Sequence, residues 1–395
     1  MREIVIFRQN QFRLSEIFIV QQAQALLRYA PLYVGRMRFG QGPDGARALL
    51  LRDLWRHDAW PRMLAQMLTR DPAPYLRLLA GRRPALVHAH FGIDGVYALP
   101  LARRLGVPLV TTFHGFDVTL SDRYFLRSPA WVNYPLHRRA LARQGQLFLC
   151  NSGFLRDQAV ARGFPAERTH VHYIGVDCAA YQPREPVEET PVILHVARLV
   201  ELKGTEYLLR AFARLAAAHR DLRLAIIGEG PLRGRLEALA GALGVTERVL
   251  FLGAQPHSVV MEWMRRAMML VLPSVLTASG RVEGLGMVML EAAVCGVPVV
   301  ATRVGGIPEG VADGRSGLIV PPRDVEALAA AMAALAADPA MRGAMGRAGR
   351  AFVAERFDLR RQTEILECWY DELVQAHGGA DSSSARTIAR AGPFL

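Results

Sequence analysis

Short apolar runs recur along the chain, and the segments between them carry their apolar residues at helical spacing. Ile4–Phe7, Leu32–Val34, Ala85–Phe91, Val107–Thr112, Leu147–Asn151 and His170–Ile174 read as strands. Runs of Val, Ile and Leu of this length, bounded by polar turns, suit strands buried on both faces. Glu16–Tyr29 and Tyr97–Leu105 read as helices, with Ser15 placed to cap the first and Gly106 to end the second. Residues 40–83 are Arg-rich and helical in pattern, broken at Pro61, Pro72 and Pro74.

A second alternation begins at Val192. Strands Val192–Val196, Arg223–Ile227, Val249–Leu252, Leu270–Pro273 and Val297–Thr302 are spaced by helices Tyr207–His219, Leu232–Leu243 and Val259–Met268 and by one opened by Gly286. Helix Val325–Ala337 and a last long helix, about residues 340–376, follow. Residues 181–191, rich in Pro and Glu, read as a linker. Repeated strand–helix alternation predicts an α/β fold with parallel sheets covered on both faces. The expected organisation is two Rossmann-like domains, 1–180 and 192–360, with a disordered tail over 378–395. Ligands of such sheets bind beyond the carboxyl ends of the strands, so the cleft between the halves is the expected site.

Composition narrows the class. With 51% hydrophobic and 21% charged residues the chain is globular, and it holds no apolar run long enough to cross a bilayer. The start, Met1–Phe7, is too short and too soon polar for a signal peptide, so a cytoplasmic location is expected. Four cysteines, Cys150, Cys178, Cys295 and Cys368, lie far apart and form neither a metal spacing nor a disulfide framework. The net charge of +12 is placed unevenly: residues 1–185 hold 25 Arg against 13 Asp and Glu, so the whole excess lies in the N-terminal half. A basic half beside a neutral one points to a polyanionic partner, of which an anionic membrane surface is the expectation. Nucleic acid is disfavoured, because the excess lacks an aromatic-interleaved motif. Lys203 is the only lysine in the chain.

Four places carry candidate chemistry. Glu283 and Glu291 flank Gly284 and Gly286, so a helix opened by Gly286 would offer free backbone N–H groups and its positive end between two carboxylates. A pyrophosphate fits there, with a sugar near one carboxylate and a ribose near the other; the alternative is an acidic loop and a surface Glu. Arg198 and Lys203 lie five apart across a turn that follows a strand, which suits a diphosphate. Gly228-Glu229-Gly230-Pro231 resembles a phosphate loop but places Gly234 one residue too late for the full fingerprint. His114, at a strand tip, can donate to a sugar oxygen, while His88 and His90, two apart on a strand, share a face without a third clustered metal ligand. The chain contains no Asp-x-Asp pair, the usual means of holding a nucleotide sugar through a divalent cation.

Taken in order, Arg198…Lys203, Gly228-Glu229-Gly230-Pro231, the Glu283…Glu291 pair and Gly296–Glu309 resemble the retaining glycosyltransferases of family 4, and the match covers nearly all of 192–376. Leu14–Ile19, His88-Ala89-His90-Phe91 and Phe113–Asp117 are similar to the subgroup that builds bacterial exopolysaccharides, colanic-acid-type transferases included. The resemblance implies a GT-B fold, the donor held mainly by the second domain, and residues 361–377 crossing back to the first. It implies that Glu291 holds the ribose hydroxyls and Glu283 a hydroxyl of the transferred hexose. Arg198 and Lys203 would hold the diphosphate, with backbone help from Gly230, Gly286 and Met287. His114 would stand near the reacting sugar, and Ser15, His90 and Asp117 on the acceptor side. No metal or other cofactor is implied; the nucleotide sugar is a co-substrate, the acceptor a glycan or lipid-linked glycan, and the enzyme cytoplasmic or peripheral on the inner face of the membrane. Two departures stand out: Gln9–Ser15 replaces the usual Gly-Gly loop, and Leu285 the commoner aromatic. Two rival expectations are a nucleotide-sugar epimerase of the same fold and a non-catalytic sugar-nucleotide-binding protein.

Overall fold

The structure is a computed structural model that describes residues 1–13, 16–55, 59–181 and 190–378. Ser15, most of the expected linker and nearly all of the expected tail therefore lie outside the described residues. The chain divides into two units, Met1–Gly175 with Arg360–Leu395, and Val176–Leu359.

The first unit is built on seven parallel strands: β1 Arg2–Phe7, β2 Tyr29–Gly35, β3 Ala48–Leu50, β4 Val87–His90, β5 Leu109–Phe113, β6 Leu147–Cys150 and β7 Thr169–Val171. Their order across the sheet is β3-β2-β1-β4-β5-β6-β7. Period-2 alternation sends Val5 and Phe7 to one face and Ile4 and Ile6 to the other, and all four are buried. The second face is covered by the helix Leu359–Gly378, whose Leu366 and Tyr370 are buried against it. Glu367, also buried, accepts from the backbone N–H groups of Leu27 and Arg28 at 2.8 and 2.6 Å, which fixes this helix beside the entry to β2.

The second unit repeats the winding with six parallel strands: β8 Val192–Val196, β9 Arg223–Ile227, β10 Val249–Gly253, β11 Met269–Leu272, β12 Val299–Thr302 and β13 Gly317–Val320, ordered β10-β9-β8-β11-β12-β13. In both units the winding direction reverses beside the first strand. The carboxyl ends there, β1 with β4 and β8 with β11, leave a crevice between loops that run to opposite sides.

The differences from the sequence reading have physical causes. The Arg-rich stretch is not one helical region: it contains β3, then helices Leu51–Leu54, Ala59–Thr69 and Ala73–Leu78. The first helix is shorter than expected, Ile17–Gln24, because the chain must extend again at Tyr29 to pair with β1 along six residues. The last long helix is two, Pro339–Arg356 and Leu359–Gly378. The break falls where Val176 pairs with the chain, donating to the Phe357 carbonyl at 2.7 Å and accepting from the Leu359 N–H at 3.0 Å. Both points where the chain passes from one unit to the other thus lie side by side. The first of them precedes the Pro- and Glu-rich stretch expected to be the linker.

Candidate active site

The reversal of winding in the second unit brings Lys203 and Glu283 together from 80 residues apart. Lys203 ends a 3-10 turn, Glu201–Lys203, in the loop after β8; Glu283 lies in the loop after β11. The Lys203 ammonium donates to Glu283 Oε2 at 2.5 Å, and Ser274 Oγ donates to the same oxygen at 3.3 Å. The two loops are also tied by the Val275 N–H on the Leu202 carbonyl at 2.8 Å. Side-chain exposures of 15% and 14% make this a partly desolvated pair, stronger than a surface ion pair and still open on one side.

Gly305 and Gly306 hold the backbone of Glu283. The Gly306 N–H donates to the Glu283 carbonyl at 3.1 Å. Gly305 has a φ of +58°, and a Cβ there would stand 2.1 Å from the same carbonyl oxygen. Gly305→Ala should therefore lower the melting temperature by several degrees, for a strain of about 1–3 kcal/mol, and cut activity more than that stability loss explains. An alanine variant with wild-type melting and turnover would refute this role.

Gly286, at φ +88°, caps the helix Met287–Val294, as the sequence predicts. Its left-handed turn leaves the N–H groups of the first turn, Met287 included, at the mouth of the crevice. Glu291 sits on the second turn, partly buried. Burial pushes its carboxyl up to about 7. Among the described residues its carboxylate has no hydrogen-bond or ion-pair partner. Arg198 is exposed on the β8 loop, likewise without an ion-pair partner among the described residues. Gly230 packs on the loop that carries Arg198: a Cβ would stand 2.4 Å from the Leu199 carbonyl oxygen.

In the first unit the same reversal assembles a histidine file. His88 and His90 project from one face of β4 and stack at 4.3 Å, as their spacing predicts. His90 Nδ1 lies 3.1 Å from His114 Nε2, just beyond β5. At the far end His88 bonds the Tyr370 hydroxyl at 2.5 Å and Thr112 Oγ1 at 2.7 Å. Burial holds His88, His90 and His114 well below the ordinary histidine pKa, so all three are neutral at pH 7. His114 Nδ1 is buried without a partner. Among the described residues no group of three or more His, Cys, Asp or Glu side chains is arranged to hold a metal ion.

Asp117 differs from its expected acceptor-side place. It is fully buried, and its carboxylate accepts from the backbone N–H groups of Gly92 and Gly115 at 2.9 Å and of His114 at 3.3 Å. Burial pushes it up to about 6, against these bonds. It clasps the β4 and β5 loops and so sets the position of His114. His90 is likewise buried, behind His114. Arg8, at the end of β1, is a residue the sequence reading missed. It donates to Asp94 at 2.6 Å and to Glu16 at 2.8 and 2.9 Å, and lies over the Phe91 ring at 4.4 Å. Phe91 holds a left-handed backbone, φ +73°, and its ring stands 4.7 Å from that of His114. Burial opposes the Arg8 charge, but Asp94 and Glu16 hold its pKa above the ordinary value.

Two parallel sheets of the same winding order, each with polar side chains gathered at its reversal, have the two-domain architecture of the GT-B fold. The solved structures agree: the Anabaena protein HepE in complex with UDP matches with a TM-score of 0.74 at 20% identity, covering 94% of this chain and 100% of that one. A sucrose-phosphate synthase from Thermosynechococcus elongatus matches equally well, 0.74 at 21% identity over 95% and 100%. The family profile "Glycosyl transferases group 1" matches residues 180–352, and "Glycosyltransferase Family 4" residues 37–180. A GDP-mannose-dependent phosphatidylinositol monomannoside mannosyltransferase of Mycolicibacterium smegmatis is 34% identical, over 73% of this chain and 80% of its own. WcaL of Escherichia coli, named for colanic acid biosynthesis, is 37% identical over 62% and 60%. The chain belongs to the group 1, family 4 glycosyltransferases.

Proposed function

We propose that this glycosyltransferase moves a hexose from a nucleotide sugar, with retention and without a metal, to a glycan or lipid-linked glycan of cell-surface polysaccharide synthesis. The observation that carries the reading is the Lys203–Glu283 pair at the reversal of the second sheet, close in sequence to a helix start and to the unpartnered carboxylate of Glu291. Arg198, Lys203 and the first-turn N–H groups beyond Gly286 suit a diphosphate, and cations there stabilise the charge that develops on the leaving phosphate. Glu283 is the hydroxyl acceptor for the hexose and Glu291 for the ribose. Attack from the leaving-group face, with the departing phosphate taking the acceptor's proton, keeps the anomeric configuration without a paired acid and nucleophile. The relatives support a nucleoside diphosphate donor: one is named for GDP-mannose and one was solved with UDP. A lipid-linked acceptor has support in the phosphatidylinositol mannoside of the same name.

The test is a donor panel of UDP-, GDP- and ADP-hexoses, read by thermal shift and by slow hydrolysis. One donor should raise the melting temperature, with turnover unchanged by a chelator and an acceptor product that keeps the donor's anomeric form. Rapid conversion of the donor to its epimer without acceptor would favour an epimerase instead. Stabilisation by a donor without hydrolysis or transfer would favour a binding protein.

Glu291 gives this reading a pH signature. Its carboxyl, at about 7, is neutral below that pH and ionised above it. Ribose hydroxyls donate to the ionised form, so donor affinity should fall as pH drops through about 7. In the free protein the raised value acts the other way. The stability it contributes is complete below the ordinary carboxylate range and is lost as pH rises through about 7. Glu291→Gln should bind donor about tenfold more weakly at pH 8, yet be more stable at that pH in the absence of donor, by about 1–3 kcal/mol. Equal donor affinity in the variant would remove Glu291 from the site.

A further inference from the structure

One buried amide in the first unit has no structural task. Asn151 directly follows β6, is 4% exposed, and its Oδ1 is buried without a hydrogen-bond partner. An Asn between a strand and a helix ordinarily caps the helix. Here Ser152 does so, its Oγ accepting from the Leu155 N–H at 3.3 Å. Leu147 and Leu149, on the same side of β6, belong to the core, so an apolar side chain would suit this face. A buried polar atom left unpaired is costly, and it needs a reason.

The sheet sets this amide beside His114. β5 and β6 pair in parallel with Phe113 opposite Cys150, and both of those side chains lie in the core on one face. One step further, His114 and Asn151 share the other face, that of Val110 and Leu149, on neighbouring strands. The His114 ring packs on the rings of Phe18 and Phe91, at 4.9 and 4.7 Å, and its Nε2 is taken by His90. What remains is the Nδ1 edge, buried and unpartnered like Asn151 Oδ1. Two orphaned polar atoms thus stand on adjacent strand ends at the carboxyl edge of the sheet. The amide oxygen needs a donor. A sugar hydroxyl has one proton to give and lone pairs with which to accept, so it can donate to Asn151 Oδ1 while accepting from His114. That arrangement fixes the ring: Nδ1 of His114 carries the hydrogen, and His90 Nδ1 donates to His114 Nε2.

We infer that Asn151 and His114 grip one sugar hydroxyl between them, which makes Asn151 a sugar-contacting residue of the transferase. The inference rests on the proposed reading of the chain as a sugar transferase. The hydroxyl belongs to the transferred hexose or to the acceptor sugar, and the test has an arm for each. In the donor arm, dissociation constants are measured for UDP- and GDP-hexoses and for their monodeoxy and deoxyfluoro analogues. In the acceptor arm, transfer is measured to methyl hexosides and to their monodeoxy and deoxyfluoro forms. In one arm, a single hydroxyl position should cost the wild type about tenfold when the hydroxyl is removed or replaced by fluorine, which cannot donate. Asn151→Ala and Asn151→Leu should lose a similar factor with the parent sugar, and little more with the analogue. Ala leaves room and Leu keeps the branched shape, so the two variants guard against a packing effect of either. With the sugar bound, the ring nitrogen shifts of His114 should report the Nδ1–H tautomer. Losses that multiply, or variants that bind and transfer every sugar as the wild type does, overturn the inference and leave the amide to a buried water. The transferase reading survives that result as long as the wild type binds and turns over a nucleotide hexose. A wild type that binds none of them overturns that reading and this inference together.

Discussion

Lys203→Ala is expected to lower kcat/KM by about 10²-fold or more, with most of the loss in kcat. The ammonium has two jobs in the proposed mechanism. It faces the leaving diphosphate, and in the free protein it already holds Glu283 at 2.5 Å, with Ser274 as that carboxylate's other side-chain donor among the described residues. Its removal takes a charge from the transition state and leaves a largely buried carboxylate underpaired, free to turn from the hexose. Lys203→Arg should recover only part of the loss. The compact ammonium fits between the two loops, whereas a guanidinium must displace either Glu283 or the turn that carries it. In a chain whose other 47 cationic side chains are Arg, the one Lys stands where this geometry matters. A cycle with Glu283→Gln separates the unit from its parts. If the pair acts as one device, the double variant should be about as slow as the worse single variant. Near-normal turnover of Lys203→Ala, or losses that multiply, would break the assignment.

Much of this site was legible because its residues follow strands with unmistakable apolar runs. Val192–Val196 and Arg223–Ile227 occur as read, and Gly286 caps a helix that puts Glu291 on its second turn. The pairing of Lys203 with Glu283 was not legible, since it arises from the order in which β8 and β11 lie in the sheet, a non-local choice. Ala48–Leu50 and Gly317–Val320 were missed because outer strands of three or four residues carry too little pattern to separate from a loop. Arg8 was hidden among 25 arginines of the N-terminal half, where only its contact with Asp94, 86 residues on, marks it as buried. Asp117 was read by its place beside His114. Its carboxylate is spent on three backbone N–H groups, two in its own loop and one, Gly92, 25 residues away, and neither kind of bond leaves much signal in sequence.

His114 should rank next in effect: His114→Ala is expected to cost about 10²-fold in kcat, and the choice of conservative variant shows which atom acts. With both rings neutral, one nitrogen of the His90 Nδ1–His114 Nε2 contact donates and the other accepts. Either assignment uses up Nε2 of His114 and leaves Nδ1 for the substrate. That nitrogen is buried and unpartnered, at a cost of about 1–3 kcal/mol that a sugar hydroxyl would offset on binding. An Asn side chain places its polar atoms near the Nδ1 position and a Gln near Nε2. His114→Asn should therefore keep clearly more activity than His114→Gln. His90→Phe, which keeps the ring stack and removes the tautomer-fixing bond, should lower kcat about tenfold with little change in KM. Ring nitrogen chemical shifts of His114 should then report mixed tautomers instead of one. Since all three histidines titrate below the ordinary range, the rate should stay flat with respect to His114 from pH 8 down to about 6.5. A Gln variant as active as Asn would mean that Nδ1 does not touch the sugar. A His90→Phe protein with unaltered shifts and rate would leave His90 as packing alone.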